Sequence, residues 1–181
     1  MLLHDVPWAT YVVLRDTVDS RAVHMTYLEG RLEIMVKSKL HEVSTKQIAR
    51  FLELFCLELD IPLYGYRETT WRSEEASRGL EADECYCRGA DRELPDFAIE
   101  VIAGAPLLDK LEVYRGLGIR EVWTYLATES AFRIFALHDG RYAEIDRSEV
   151  LPELDVARLI PFLQHEDQHV ALKTFRDELR R

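Results

Sequence analysis

No apolar run in this chain approaches the roughly 20 residues that a membrane span needs. Its first residues, Met1-Leu-Leu-His-Asp-Val-Pro7, have neither a basic start nor a long apolar block. No span and no secretory signal are therefore expected, and a cytoplasmic location follows as the default. Cysteine is scarce and odd in number: Cys56, Cys85 and Cys87 offer no disulfide framework, so reduced thiols are expected. Cys85-Tyr86-Cys87 could be half of a soft-metal site, but no second thiol pair exists to close a tetrahedral shell, and structural use is the reading. Cys56 falls in a helical apolar stripe and reads as a core residue.

Low-complexity tracts are missing too. At 181 residues, 48% hydrophobic and 31% charged, the chain reads as one globular domain, 1–181, with a sizeable core. Positive charge is the remaining deficit: 23 Lys and Arg stand against 33 Asp and Glu, for a net charge of −10. A surface that attracts nucleic acid simply by neutralising phosphates is disfavoured by that balance. From Glu74 to Glu100 there are nine acids against three bases, so −6 of the −10 lies in one segment. A bound divalent cation would offset part of it. The likeliest-placed cations, Arg67, Arg72 and Arg78 and the C-terminal Lys173, Arg176, Arg180 and Arg181, read mainly as solvated faces.

What is present is an alternation of helical and strand patterns. Ala22 to Leu28 and Arg31 to Val36 flank Glu29-Gly30 as a hairpin, with Glu33 in its second strand. From His41 to Asp60, Ile48, Leu52, Phe55 and Leu59 recur at helical spacing, and Pro62 follows. Leu63 to Trp71 reads as a strand, and so does Leu80 to Arg88, with Glu81 and Asp83 on one face. In Leu94 to Ala103, Asp96, Ala98, Glu100 and Ile102 alternate with Phe97, Ile99 and Val101. That strand is apolar on both sides and reads as central in its sheet. Pro106 precedes a short helix with Leu107, Leu111, Tyr114 and Leu117 inward and Gly118 as its stop. Strands from Arg120 to Leu126, Ala131 to Leu137 and Arg141 to Ile145 follow, the last two joined at His138-Asp-Gly-Arg141, and helical segments from about 155 to 163 and 167 to 181 end the chain.

Two acids and a lysine stand out. Asp83 and Glu100 fall inside apolar runs, where an ionised carboxylate is costly unless a cation or donors satisfy it. If they face one side of adjacent strands they can share an ion, and hard oxygen ligands favour magnesium or manganese over zinc. Lys110, on the inner edge of the short helix, can direct its ammonium toward that site or pack its stem on Tyr114.

These residues carry a resemblance. Glu81-Ala-Asp83-Glu-Cys-Tyr86, Pro95-Asp-Phe-Ala-Ile-Glu100-Val101 and Asp109-Lys110-Leu-Glu-Val-Tyr114-Arg-Gly-Leu-Gly118-Ile-Arg-Glu-Val-Trp123 resemble the Uma-two family, whose prokaryotic members are regarded as endonucleases. Leu28-Glu-Gly-Arg-Leu-Glu33-Ile-Met35, with Ser38 and His41 before a long helix, fits the same pattern, and the similarity runs from about Thr26 to Leu163. The family belongs to the restriction-endonuclease-like superfamily, named for its PD-(D/E)XK signature. The resemblance implies a mixed central β-sheet flanked by helices, with the N-terminal hairpin and a C-terminal helix over 167–181. It implies that Asp83 and Glu100 bind the metal, that Lys110 is the signature lysine moved onto the following helix, and that Glu33 is an additional acidic site residue. Ala82 stands where the signature has proline, Val36-Lys-Ser38-Lys39 lacks the proline usual in that segment, and Ile102 stands where the usual lysine would be. The implied activity is hydrolysis of nucleic acid, DNA first, with Mg2+ or Mn2+, by a chain that can pair as a homodimer.

Two other readings stand beside it. The same fold could serve as a catalytically silent module that binds nucleic acid or protein. His165-Glu-Asp-Gln-His169 also matches HExxH, the helical zinc-hydrolase pattern, in a poor context: Asp167 and Gln168 are polar, and twelve residues remain to supply a third ligand.

Overall fold

Two short turns set the frame of the molecule. Glu29 and Gly30 hold φ of 49° and 84°, and Asp139 and Gly140 hold 47° and 75°. Positive φ at both central residues is the mirror-image turn that joins right-twisted antiparallel strands through two residues. The computed structural model describes residues 1–18, 23–67, 69–105 and 108–181, with the Arg67 side chain left out. Ala22, Pro106 and Leu107, expected at the hairpin start and ahead of the short helix, lie outside the described residues.

The chain begins with a two-residue strand β1 (Leu2–Leu3) and a helix α1 (Trp8–Thr17), neither expected from the sequence. Trp8, Tyr11, Val12 and Val13 are poor helix formers, and Pro7 at the cap offers no side-chain acceptor. Tertiary burial decides the matter: Tyr11 is fully buried and its ring stacks on Tyr27 at 4.9 Å. Tyr27 belongs to the expected hairpin, β2 (Val23–Leu28) with β3 (Arg31–Val36).

Helix α2 (Lys39–Glu58) follows, capped by Ser38, whose Oγ accepts from His41 N at 3.2 Å. The expected strand from Leu63 to Trp71 is instead two, β4 (Leu63–Arg67) and β5 (Thr70–Ser73), in different sheets. Leu80 to Arg88 likewise divides into β6 (Arg78–Glu81) and β7 (Glu84–Arg88). In each case the chain changes sheets midway; β6 and β7 are both covered, whereas β4 and β5 are edge strands.

Strands β8 (Phe97–Ile102), β9 (Glu121–Leu126), β10 (Ala131–His138) and β11 (Arg141–Ile145) complete the set, with α3 (Lys110–Leu117) between β8 and β9. A 3-10 turn over Val156–Leu159, α4 (Ile160–Leu163) and α5 (Gln168–Leu179) close the chain. One sheet has the order β1-β3-β2-β6-β5, the other β11-β10-β9-β8-β7-β4. The second is mixed, because β8 and β9 run parallel across the α3 crossover while its other pairs are antiparallel. The mixed α/β class matches the expectation; the hairpin lies in a second sheet rather than the central one.

Alternation along β8 sorts the two faces. Phe97, Ile99 and Val101 join Ile48, Phe51, Leu52 and Phe55 of α2 and Phe175 of α5 in the larger core. Each such aromatic or aliphatic side chain is worth about 1.5–3 kcal/mol on burial. Ala98 faces the other way, against Val113 and Tyr114 of α3 and Val122 of β9. Asp109 caps α3 by accepting from Leu111 N and Glu112 N, and Gly118 ends it at φ 77°. These two stops hold Lys110 in the first turn and Tyr114 one turn later, both directed at β8.

Candidate active site

Glu100 is buried on the α3 face of β8, and two residues of that helix meet it. Lys110 Nζ donates to Oε2 at 2.6 Å, and the Tyr114 hydroxyl donates to Oε1. The i, i+4 spacing of Lys110 and Tyr114 places both donors on one helix face. Burial pushes the Glu100 carboxyl up, against the Lys110 charge. Lys110 is also opposed by burial, but Glu100 and then Asp83 outweigh it and raise its pKa, so the ammonium keeps its proton.

Asp83 occupies the point where the chain passes from one sheet to the other, so it is not within a strand as expected. The β7–β8 ladder ends at Glu84 and Ile99. Asp83 Oδ2 continues the pairing by accepting from Val101 N at 2.9 Å. The same oxygen lies 2.9 Å from His41 Nε2, and Oδ1 lies 3.3 Å from Lys37 Nζ and 3.8 Å from His24 Nδ1. Asp83 is wholly buried, which opposes its charge. The His41 hydrogen bond, together with the Lys110, His41 and Lys37 charges, more than compensates and holds its carboxyl well below the usual range. His24 is driven the other way: burial, then the Lys37 charge, lower it to about 3, so its ring is neutral.

Glu33 is buried on β3, opposite Thr26 in the hairpin. It lines a cleft of about 550 Å³ together with Lys37, His41, Glu100 and Lys110. Its charge contributes to raising Lys110. The four residues singled out from the sequence thus come to one place, with Asp83 behind the cleft wall and the other three on it.

Three more were missed: Lys37, 2% exposed in its side chain, His24, and Tyr114 as a hydrogen-bond donor rather than a core ring. Lys37 and Ser38 stand between a strand and a helix, where charged residues are usually solvated, so nothing in the pattern marked Lys37 as buried. His24 shares the alternating face of Thr26, which sits opposite Glu33. That alternation was the available signal.

The donor chemistry fits a hard divalent cation: three buried carboxylates and no thiol among them. Among the described residues, however, no three His, Cys, Asp or Glu side chains are grouped as ligands of one ion. The carboxylates are spaced around Lys37 and Lys110, whose charges offset theirs.

Other candidates resolve as structural. Asp96 accepts from Arg88 N at 2.8 Å and pairs with Arg92 and Arg120, which anchors the loop before β8 rather than the cleft. Glu81 pairs with Arg15 at 2.7 Å and accepts from Met25 N. All three thiols are buried, and burial raises Cys56 and Cys85 to about 12. His165 precedes α5, and its Nδ1 accepts from Asp167 N; Asp167 in turn caps the helix through His169 N and Val170 N. The two histidines therefore do not share a helix face, as the zinc-hydrolase pattern requires.

Comparison with known proteins finds a family model and similar solved structures. Residues 8–171 match the family model Uma2, described as "Putative restriction endonuclease". A crystal structure of a protein from Anabaena variabilis, titled a "putative nuclease belonging to DUF820", aligns at a TM-score of 0.48 with 12% identity, over 84% of this chain and 90% of that one. No curated protein matches.

Proposed function

The chain belongs to the Uma2 family, whose model spans residues 8–171, and from that membership we propose that it is a metal-dependent endonuclease acting on DNA. One observation carries the reading: Glu100 on the cleft wall is held by Lys110 at 2.6 Å, with Glu33 on the same cleft and Asp83 buried next to it. Buried acids gathered around a cation are costly to build and serve phosphoryl chemistry well.

Glu100, Asp83 and Glu33 would hold magnesium or manganese, which when bound supplies Lewis acidity toward the phosphoryl oxygens. Tyr114 and Lys110 fix the two oxygens of Glu100 before any ligand arrives. The Lys110 ammonium, 16% exposed at the cleft, can then turn to a phosphate oxygen or orient the attacking water. Asp83 fixes His41 and Lys37 from behind, so it positions cations as well as carrying its own charge.

The test is cleavage of double- and single-stranded DNA with and without magnesium or manganese, beside a Glu100→Gln protein. Metal-dependent cleavage lost in the variant supports the proposal; equal cleavage by both proteins refutes it. A second reading, a silent binding module, is favoured by one fact: Asp83 is already paired with Lys37 and His41, and Glu100 with Lys110 and Tyr114. It predicts DNA binding without cleavage under any metal.

A further inference from the structure

The cleft has two unlike halves. Beside the acids and lysines, its other wall is formed by Ile102, Leu126, Phe135, Met35 and the exposed Val36. Helix α3 covers the sheet over Ala98 and Val122 and stops there. Among the described residues, the apolar face beyond it lines the cleft next to Glu100. Ile102 follows Glu100 by two residues on the same face of β8, about 6.6 Å further along the strand. Leu126 stands beside Ile102 in the parallel ladder.

At the far side, the Arg133 guanidinium lies over the Phe135 ring, 5.4 Å from its centroid. Glu144 holds it there through bonds of 2.9 and 2.6 Å. A fixed guanidinium plane on an aromatic ring is a surface on which an unstacked base can lie.

Charge decides against the alternative of a duplex held by its backbone. The net charge is −10, and several cations elsewhere on the surface are paired with acids: Arg72 with Asp16, Arg176 with Asp177, Arg180 with Glu58. Duplex affinity depends on neutralising many phosphates at once. On the cleft lining, Lys110 and Arg133 reach solvent, each on a carboxylate partner that a phosphate can replace, so phosphate contact and apolar contact are available in the same place.

We propose that the apolar half of the cleft is a nucleobase subsite that takes an unpaired base of a strand whose backbone passes Glu100 and Lys110. The substrate class is then single-stranded or locally unpaired nucleic acid. The inference rests on the nuclease reading for its choice of ligand, and binding tests it separately from cleavage.

The experiment is fluorescence anisotropy in EDTA, with fluorescein-labelled oligothymidine and the same strand annealed to its complement. The single strand is expected to bind at least about tenfold tighter than the duplex, the scale of losing one stacked base. Phe135→Ala should weaken the single strand by about tenfold. Phe135→Leu, which keeps the volume and loses the ring, should weaken it several-fold with an unchanged circular dichroism spectrum. Equal binding of strand and duplex, wild-type binding by the folded Phe135→Leu protein, or no binding of either probe overturns the proposal. Selective strand binding without metal-dependent cleavage of either form leaves the subsite standing and refutes the nuclease reading. Cleavage with indifferent binding does the reverse.

Discussion

Replacing Lys110 with methionine keeps most of its stem and removes its charge, which leaves Glu100 with Tyr114 as its remaining donor on this helix. Removing one partner of a buried ion pair costs about 3–5 kcal/mol, chiefly because the other charge stays buried. Two features of the site place the value at the low end. Lys110 is 16% exposed against 2% for Glu100, so water can follow the missing ammonium into the cleft. The carboxyl can also take up a proton, and from a reference near 4.3 at 1.36 kcal/mol per unit this limits the cost at pH 7 to about 3.7 kcal/mol. A loss of about 3 kcal/mol is expected, which lowers the melting temperature of a chain this size by about 6–12 °C. Glu100→Gln in the Lys110→Met background should restore most of it, because no unpaired charge then remains. The assay is urea unfolding of wild type, both single variants and the double variant in EDTA. A coupling energy of about 2–3 kcal/mol is expected for this contacting pair. Additive losses would refute the ion pair as the organising contact of the site.

Asp83→Asn keeps the shape of the connection between the sheets but strips the charge facing Lys37 and His41. It is expected to destabilise the protein by about 3 kcal/mol in denaturant unfolding, and Lys37→Met combined with it should recover part of that loss. The cysteines give a prediction of opposite sign: Cys56, Cys85 and Cys87 are buried, with Cys56 and Cys85 pushed up to about 12. The native protein should be inert to a thiol reagent at pH 8 and release three equivalents on unfolding; prompt reaction of the native state would contradict the packing around β7.

The strand alternation in Phe97 to Ile102 made Glu100 legible as a buried acid, because three apolar neighbours on the opposite face require a covered strand and the sequence carries that period directly. Hairpins were legible for the same kind of local reason: Glu29-Gly30 and Asp139-Gly140 are turn chemistry. Asp83 is buried, as its apolar run suggested, but it was wrongly placed. Its run from Leu80 to Arg88 alternates without a break, yet the chain leaves one sheet after Glu81 and enters another at Glu84. No local pattern records which sheet covers each half. Helix α1 was missed because its aromatic and β-branched residues speak against a helix until Tyr27 is known to lie beneath them. Lys37 was missed because burial of a charge depends on partners far along the chain, here Asp83.

The placement of the lysines bears on how the site can accept an ion. Glu100 and Asp83 reach opposite states in the same surroundings: burial pushes Glu100 up, while His41, Lys110 and Lys37 hold Asp83 down. Asp83 is anchored by a backbone amide and an imidazole, so its position changes little whether or not an ion arrives. Glu100 is held by the end of a lysine side chain at the cleft and by one hydroxyl, and the lysine can move. A divalent cation held by Glu100 would take the place of its Lys110 contact, and one held also by Asp83 would meet Lys37 at Oδ1. The Lys110 ammonium would then stay within reach of the cleft, where a phosphate could take the place of the carboxylate as its partner. Under the proposed function, Lys110 would have two successive partners, and a lysine on a helix would serve where Ile102 leaves the neighbouring strand position apolar.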